Sequence, residues 1–116
     1  MDSTVDILLK GGQLIDVNSR TIQSIDIGIK DGLFNFDATC GETEIELSGS
    51  YISPGFIDAH MHVESTMLPP ASFANLAIPH GTTAIVLDPH EIANVLGILG
   101  IELLMENSKD LPIDCF

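Results

Sequence analysis

From residue 56 onward, short apolar runs alternate with helix-like segments, and few folds accommodate that order. Strands and helices are predicted in turn over 56–63, 70–78, 82–87 and 91–106. This β-α-β-α order is typical of a parallel α/β architecture, because parallel strands need a long crossover connection, usually a helix. A third strand is predicted to begin near residue 114, and two strand-helix units cannot close a barrel. The pattern therefore predicts an α/β fold of which only the first part is present.

The first 50 residues have a different pattern, in which short runs of alternating apolar and polar residues are separated by glycine-containing turns. Strands are predicted over 5–10, 13–17, 25–29, 33–36 and 44–47. Asp31-Gly32 is a favourable turn dipeptide between two of these runs, so the segment is predicted to be a β-meander. The pattern changes at Ser53-Pro54-Gly55. We therefore predict a small β-rich domain over residues 1–52 and an α/β domain over 53–116.

The charge balance excludes several classes of partner. Four Lys and Arg residues stand against 17 Asp and Glu residues, which gives a net charge of -13. Nucleic acids and anionic membrane surfaces both require clustered basic residues, so neither is an expected partner. The chain has no apolar run of about 20 residues and no basic, then apolar, N-terminal segment, so we expect a cytoplasmic protein without a membrane span.

All four histidines lie between residues 60 and 90, within a segment, 31–108, that has eleven acidic residues and no Lys or Arg. His60 and His62 are two residues apart on a predicted strand and so share one face. The opposite face is apolar: Ile57, Ala59, Met61 and Val63. Two neutral imidazoles at the carboxyl end of a strand can bind one divalent ion. We predict that His60 and His62 are metal ligands; the alternative is the solvated face of an edge strand.

A second polar cluster, Asp88-Pro89-His90-Glu91, follows the next predicted strand. Asp88 and Glu91 have the spacing of a helix N-cap and its reciprocal partner, and the competing interpretation places them in the active site. A cation is disfavoured at a helix N-terminus, so His90 is expected to be neutral and available as a ligand or hydrogen-bond partner. Glu64 is either a substrate contact or a solvated loop residue.

These motifs resemble those of a known family. The segment from Ser53 to His62 is similar to the opening strand of the amidohydrolase superfamily, and the preceding 50 residues resemble its small N-terminal β-sandwich segment. The segments Val63-Glu64-Ser65 and Asp88-Pro89-His90-Glu91-Ile92-Ala93-Asn94-Val95 resemble bacterial-type adenine deaminases. The resemblance covers essentially the whole chain.

The resemblance implies hydrolysis of adenine to hypoxanthine and ammonia in a metal-dependent (β/α)8 barrel, with manganese or iron, or else zinc, as cofactor. It matches His60 and His62 to the first ligand pair. Glu91 is then the candidate catalytic residue, Glu64 and His90 are candidate substrate contacts, and Asp88 is the structural cap. The family's chain is several times longer, and later strands supply its other ligands and its acid/base carboxylate. We therefore expect the isolated chain to be inactive and the full-length protein to be a homo-oligomer.

Two alternatives remain open at this level. The same histidine pair could serve another amidohydrolase that acts on a cyclic amide. The chain could instead be a non-catalytic truncated product that binds metal or a partner through exposed strands.

Overall fold

The computed structural model describes residues 4–116, and it is a mixed α/β structure. The chain divides into two compact units, the first ending at Pro54 and the second spanning Gly55–Phe116. Within the described residues, no helix is long and apolar enough to cross a membrane.

The described part of the first unit is built from strands. These are β1 (Thr4–Lys10), β2 (Gln13–Asp16), β3 (Thr21–Ser24), β4 (Ile27–Lys30), β5 (Leu33–Asn35), β6 (Cys40–Glu46) and β7 (Tyr51–Ile52). They form two sheets, with the orders β5-β4-β1-β6 and β3-β2-β7. The first sheet is centred on the buried side chains of Val5 and Leu8.

The predicted β-meander is wrong, because a meander joins consecutive strands in one antiparallel sheet. Here β1 pairs in parallel with β6, and β2 pairs in parallel with β7. The chain leaves the first sheet for the second at Gly11-Gly12, where Gly11 has a φ of 69°, in the left-handed region that favours glycine. Alternating polarity identifies strands, but it does not specify which distant strand completes each sheet.

The second unit contains three parallel strands and the helices that connect them. The strands are β8 (Phe56–Met61), β9 (Thr82–Leu87) and β10 (Asp114–Cys115), in the order β10-β9-β8. The helices are α1 (Pro70–Ala77), α2 (His90–Leu96) and α3 (Ile98–Asn107). The core consists of Val63, Ala74, Ile85 and Ile113. This arrangement confirms the predicted order of strands and helices in this part of the chain.

The first strand of this unit differs from the prediction in two ways. It ends at Met61, and its pairing with β9 is irregular between Asp58 and Met61. Ile57, on the apolar face of this strand, is 68% exposed, and β8 is at the edge of the three-stranded sheet. Alternation along the strand indicates which side chains share a face, but the elements packed on the sheet decide which face is covered.

The predicted single helix over 91–106 is two helices, α2 and α3, which are separated at Gly97. Gly97 has φ 63° and ψ -146°, a conformation that side chains with a Cβ atom rarely adopt. Gly100 then allows the two helices to pack closely, since a Cβ there would lie 2.7 Å from the carbonyl oxygen of Ile92. The helical spacing of apolar residues continues through the break and so does not reveal it.

Changing Gly97 to Ala should lower the free energy of unfolding by about 1–3 kcal/mol, because no space-filling contact compensates for the strained backbone. A Cβ at this position would meet no atom within 4 Å, so steric overlap cannot be the cause. Denaturant unfolding of the 116-residue chain measures the change. Asn94→Ala, at an exposed position of α2, is the matched control and should leave stability nearly unchanged. Equal stability of Gly97→Ala and the parent chain would show that alanine is not strained in the backbone conformation of residue 97.

Candidate metal centre

The candidate site lies where β8 and β9 end. His60 is near the end of β8, His62 follows that strand, and Asp88 follows β9 directly. The two strands are parallel, so their carboxyl ends meet at one edge of the sheet. The backbone N–H of Asp88 donates to the carbonyl of Met61 at 3.0 Å, which holds the two strand ends together.

The two histidines predicted as ligands face each other closely. His60 Nε2 and His62 Nε2 are 3.0 Å apart, and the rings meet edge to face with centroids 4.8 Å apart. Two nitrogens bound to one ion at about 2.1 Å and at a right angle would also be about 3.0 Å apart. The structure therefore brings the pair together at a spacing that suits a shared ion.

The tautomer of His62 follows from its second contact. His62 Nδ1 is 2.8 Å from the backbone carbonyl oxygen of Asp88. A carbonyl oxygen only accepts, so Nδ1 carries the hydrogen and the lone pair of the neutral ring lies on Nε2. Metal-binding histidines characteristically donate their other N–H to a carbonyl or carboxylate. This hydrogen bond directs the free nitrogen of His62 toward His60.

The structure corrects the prediction that Asp88 is a helix cap. Helix α2 begins at His90, its N-cap residue is Pro89, and no side-chain capping hydrogen bond is made by that residue. A capping box also needs an N–H on the N-cap residue, which proline lacks. The Asp88 carboxylate instead lies beside the histidines, with Oδ2 3.2 Å from His90 Nδ1 and 3.7 Å from His60 Nε2.

The environment of Asp88 favours its ionised form. The hydrogen bond from His90 holds the pKa of the Asp88 carboxyl below its ordinary value. Partial desolvation opposes this effect, and electrostatic interaction with the neighbouring imidazoles adds to it. Asp88 is therefore an acceptor and a negative charge at neutral pH. Together with His60 and His62 it offers three ligand atoms that all lie within 4.8 Å of one another.

The helix N-terminus is stabilised from another segment, by Glu64. Glu64 lies in a 3₁₀ turn over Val63–Thr66, and its Oε1 accepts from the backbone N–H of Ile92 at 3.3 Å. A carboxylate there satisfies a free N–H and interacts favourably with the helix dipole. The second oxygen of Glu64 is buried without a hydrogen-bond partner in the described part of the chain. Glu64 is thus an inter-segment contact rather than a solvated loop residue.

Glu91 is held by a neighbour of Glu64. Both of its carboxylate oxygens lie 2.7 Å from Ser65 Oγ, which donates to them. Glu91, His62 and His90 place three possible ligand atoms within 4.8 Å of one another, and the His62 and His90 rings have centroids 4.6 Å apart. His62 Nδ1 is occupied by Asp88, so Nε2 is the nitrogen that His62 can offer in either group.

The sequence pattern does not indicate the contact of Asp88 with His60 and His90, nor that of Ser65 with Glu91. The available signal for Asp88 was its position directly after a strand, equivalent to that of His62. Asp58, two residues before His60 on the same strand, accepts a hydrogen bond from the backbone N–H of His60 at 3.1 Å. This bond coincides with the irregular register of β8, a feature common beside active sites.

The donor set is suited to a divalent transition metal. Zinc, iron and manganese all bind imidazole nitrogens together with a carboxylate, and none of them requires a thiolate ligand. The His60 side chain is 66% exposed and that of Asp88 is 39% exposed, so water and a small molecule can reach the cluster. The residues present therefore fit such a metal, with further coordination positions open.

The chain is similar in sequence to known proteins. A model of the Amidohydrolase family matches residues 51–116. Adenine deaminase of Listeria monocytogenes serotype 4b (strain F2365) is 49% identical over 113 residues, which cover 96% of this chain and 20% of that protein. Adenine deaminase of Syntrophobacter fumaroxidans (strain DSM 10017 / MPOB) is 45% identical over 113 residues, with 97% and 20% covered. The chain thus spans about a fifth of the length of these relatives.

One solved structure extends the comparison to the fold. It is a structure of D-aminoacylase from work on the functional role of that enzyme's binuclear metal centre. The likeness has a TM-score of 0.58 and 28% sequence identity, and it covers 72% of this chain and 18% of that one.

Proposed function

The chain belongs to the amidohydrolase family, and on that premise we propose that it forms the first metal-binding part of an enzyme that hydrolyses adenine to hypoxanthine and ammonia. The observation that carries the proposal is the pair of Nε2 atoms of His60 and His62, 3.0 Å apart, with the tautomer of His62 set by the Asp88 carbonyl. Hydrolytic deamination is supported by relatives at 40–49% identity that are named adenine deaminase.

In this proposal the two units are parts of larger domains. Residues 1–52 belong to a small β-sandwich domain, and residues 53–116 provide the opening strand-helix units of a (β/α)8 barrel. The parallel order of β8, β9 and β10 supports the barrel, because each further strand-helix unit would extend the sheet in the same sense. The site at the carboxyl ends of β8 and β9 is where such barrels place their catalytic residues.

The residues divide the work of the reaction among them. His60 and His62, with Asp88 beside them, would hold the divalent ion, which when bound supplies the Lewis acidity that makes water a nucleophile at neutral pH. We assign manganese or iron to the site, with zinc as the third candidate. Because the donor set accepts all three metals, elemental analysis of the purified protein is the measurement that decides.

Attack of water at C6 of adenine needs a base for the water proton and a proton for the departing ammonia. We assign part of this proton transfer to Glu91, a carboxylate close to both His62 and His90. The acid/base carboxylate that the resemblance places on a later strand would supply the rest. His90 turns Nδ1 to Asp88, so its Nε2 is left to accept a hydrogen bond from the purine. Glu64 is the second candidate substrate contact. Its Oε2 has no hydrogen-bond partner in the described part of the chain and is buried, so a purine N–H would reach it only once the carboxylate turns toward the site.

The test is ammonia release from adenine with manganese added. The full-length protein should show turnover, and the 116-residue chain alone should show none. Catalysis requires groups held rigidly on several strand ends, and the chain supplies the ends of only a few strands. Activity of the short chain would contradict the need for further strands. If the full-length protein acts on a cyclic amide but not on adenine, its substrate would be that of another class of amidohydrolase.

A further inference from the structure

Ser65 connects the two strand-end segments that form the site. Its hydroxyl donates to both carboxylate oxygens of Glu91, each at 2.7 Å. Its backbone N–H donates to the carbonyl oxygen of His62 at 3.2 Å, which fixes the start of the 3₁₀ turn. The position of the Ser65 hydroxyl is therefore set by His62, and the position of the Glu91 carboxylate is set by Ser65.

We infer that Ser65 is a positioning residue, which holds the Glu91 carboxylate in the orientation needed for proton transfer. The inference rests on the proposed function, in which Glu91 takes part in proton transfer. A glutamate side chain has three rotatable bonds, so an unrestrained carboxylate samples several orientations beside the site. One hydroxyl shared by both oxygens fixes the position of the carboxylate and the direction in which it points, and hydrogen bonds to ionised groups are the stronger kind.

The Ser65 contact is separable from the stability of the fold. Ser65 is exposed, and Val63, two residues earlier, supplies the buried side chain of the turn. The start of helix α2 is stabilised by a different bond, from the Ile92 N–H to Glu64. Removal of the Ser65 hydroxyl therefore leaves the core and the helix N-terminus intact, and it removes only the orientation of Glu91.

The first experiment compares Ser65→Ala and Ser65→Thr in the full-length enzyme. Ser65→Ala should lower kcat for adenine about tenfold, as expected for a lost hydrogen bond to a charged group, and leave KM within about twofold. Ser65→Thr keeps the hydroxyl and should recover most of the rate. Ser72→Ala, which removes an exposed serine hydroxyl from helix α1, is the matched control and should behave as wild type. Thermal melting of each variant should show unchanged stability.

The second experiment asks whether Ser65 acts through Glu91. In a double-mutant cycle, Ser65→Ala should have no further effect on kcat when Glu91 is already Gln, because the oriented group is gone. Independent, multiplying effects, or a normal kcat for Ser65→Ala alone, would overturn the inference. A wild-type protein that is inactive on adenine but active on another substrate would instead overturn the proposed function. The same cycle on that other substrate would then decide the role of Ser65.

Discussion

Changing His60 and His62 together to alanine should remove the bound metal from the full-length protein and abolish its hydrolytic activity. The two Nε2 atoms are 3.0 Å apart and converge on one point, so the double change removes both nitrogen ligands from the proposed ion. Elemental analysis of the purified variant measures the loss directly. Undiminished metal content would show that the ion is bound elsewhere.

Two single variants and a control separate the contributions of His60 and His62 to metal binding. His62→Ala should cost more metal affinity than His60→Ala. Within the described residues, a hydrogen bond to the Asp88 carbonyl directs the ligand nitrogen of His62, and no comparable bond directs that of His60. Outer-shell contacts of this kind are typically worth about 10- to 100-fold in affinity. His80→Ala is the matched control, since His80 ends the 3₁₀ turn Ile78–His80 and is outside the two candidate ligand groups. It should retain full metal content.

Glu91→Gln should lower turnover of adenine about tenfold or more while the fold stays intact. The amide keeps the shape of the side chain but can no longer accept the proton, and acid-base catalysis by one residue contributes about 100- to 10,000-fold. Rates and melting temperatures measured in parallel separate this role from a structural one. Normal turnover of the Glu91→Gln enzyme would show that Glu91 takes no part in proton transfer.

Asp88→Asn is the companion variant, and the structure changes its expected effect. A lost helix cap would cost about 0.5–2 kcal/mol of stability with little change in rate. Because Asp88 makes no cap and lies beside His60 and His90, we expect weaker metal retention with little loss of stability. Glu106→Gln, an exposed change on α3, is the control for the loss of one acidic charge. If the Asp88→Asn protein has a lower free energy of unfolding but full metal content, the role of Asp88 is structural.

The site could be predicted in part from local pattern. His60 and His62 are two residues apart on a strand, so their shared position follows from the strand repeat and needs no knowledge of the rest of the fold. Asp88 could not be placed in this way. Aspartate is common at a helix N-cap, but its carboxylate is also attracted to histidines, and the two predict different contacts. In the structure Pro89 is the N-cap residue and the end of β8 lies beside Asp88, so the carboxylate contacts the histidines.

The elements whose signals are local could be predicted from the chain alone. Strand β9 and the start of helix α1 follow from the alternation of short apolar runs with helix-like segments, and both occur where predicted. Long-range packing sets the parallel pairing of β1 with β6, the break at Gly97 and the contact of Ser65 with Glu91. The reason is physical: a repeat along the chain records which face of an element is apolar. The partner of that face is set by the burial and hydrogen bonding of residues far away in sequence.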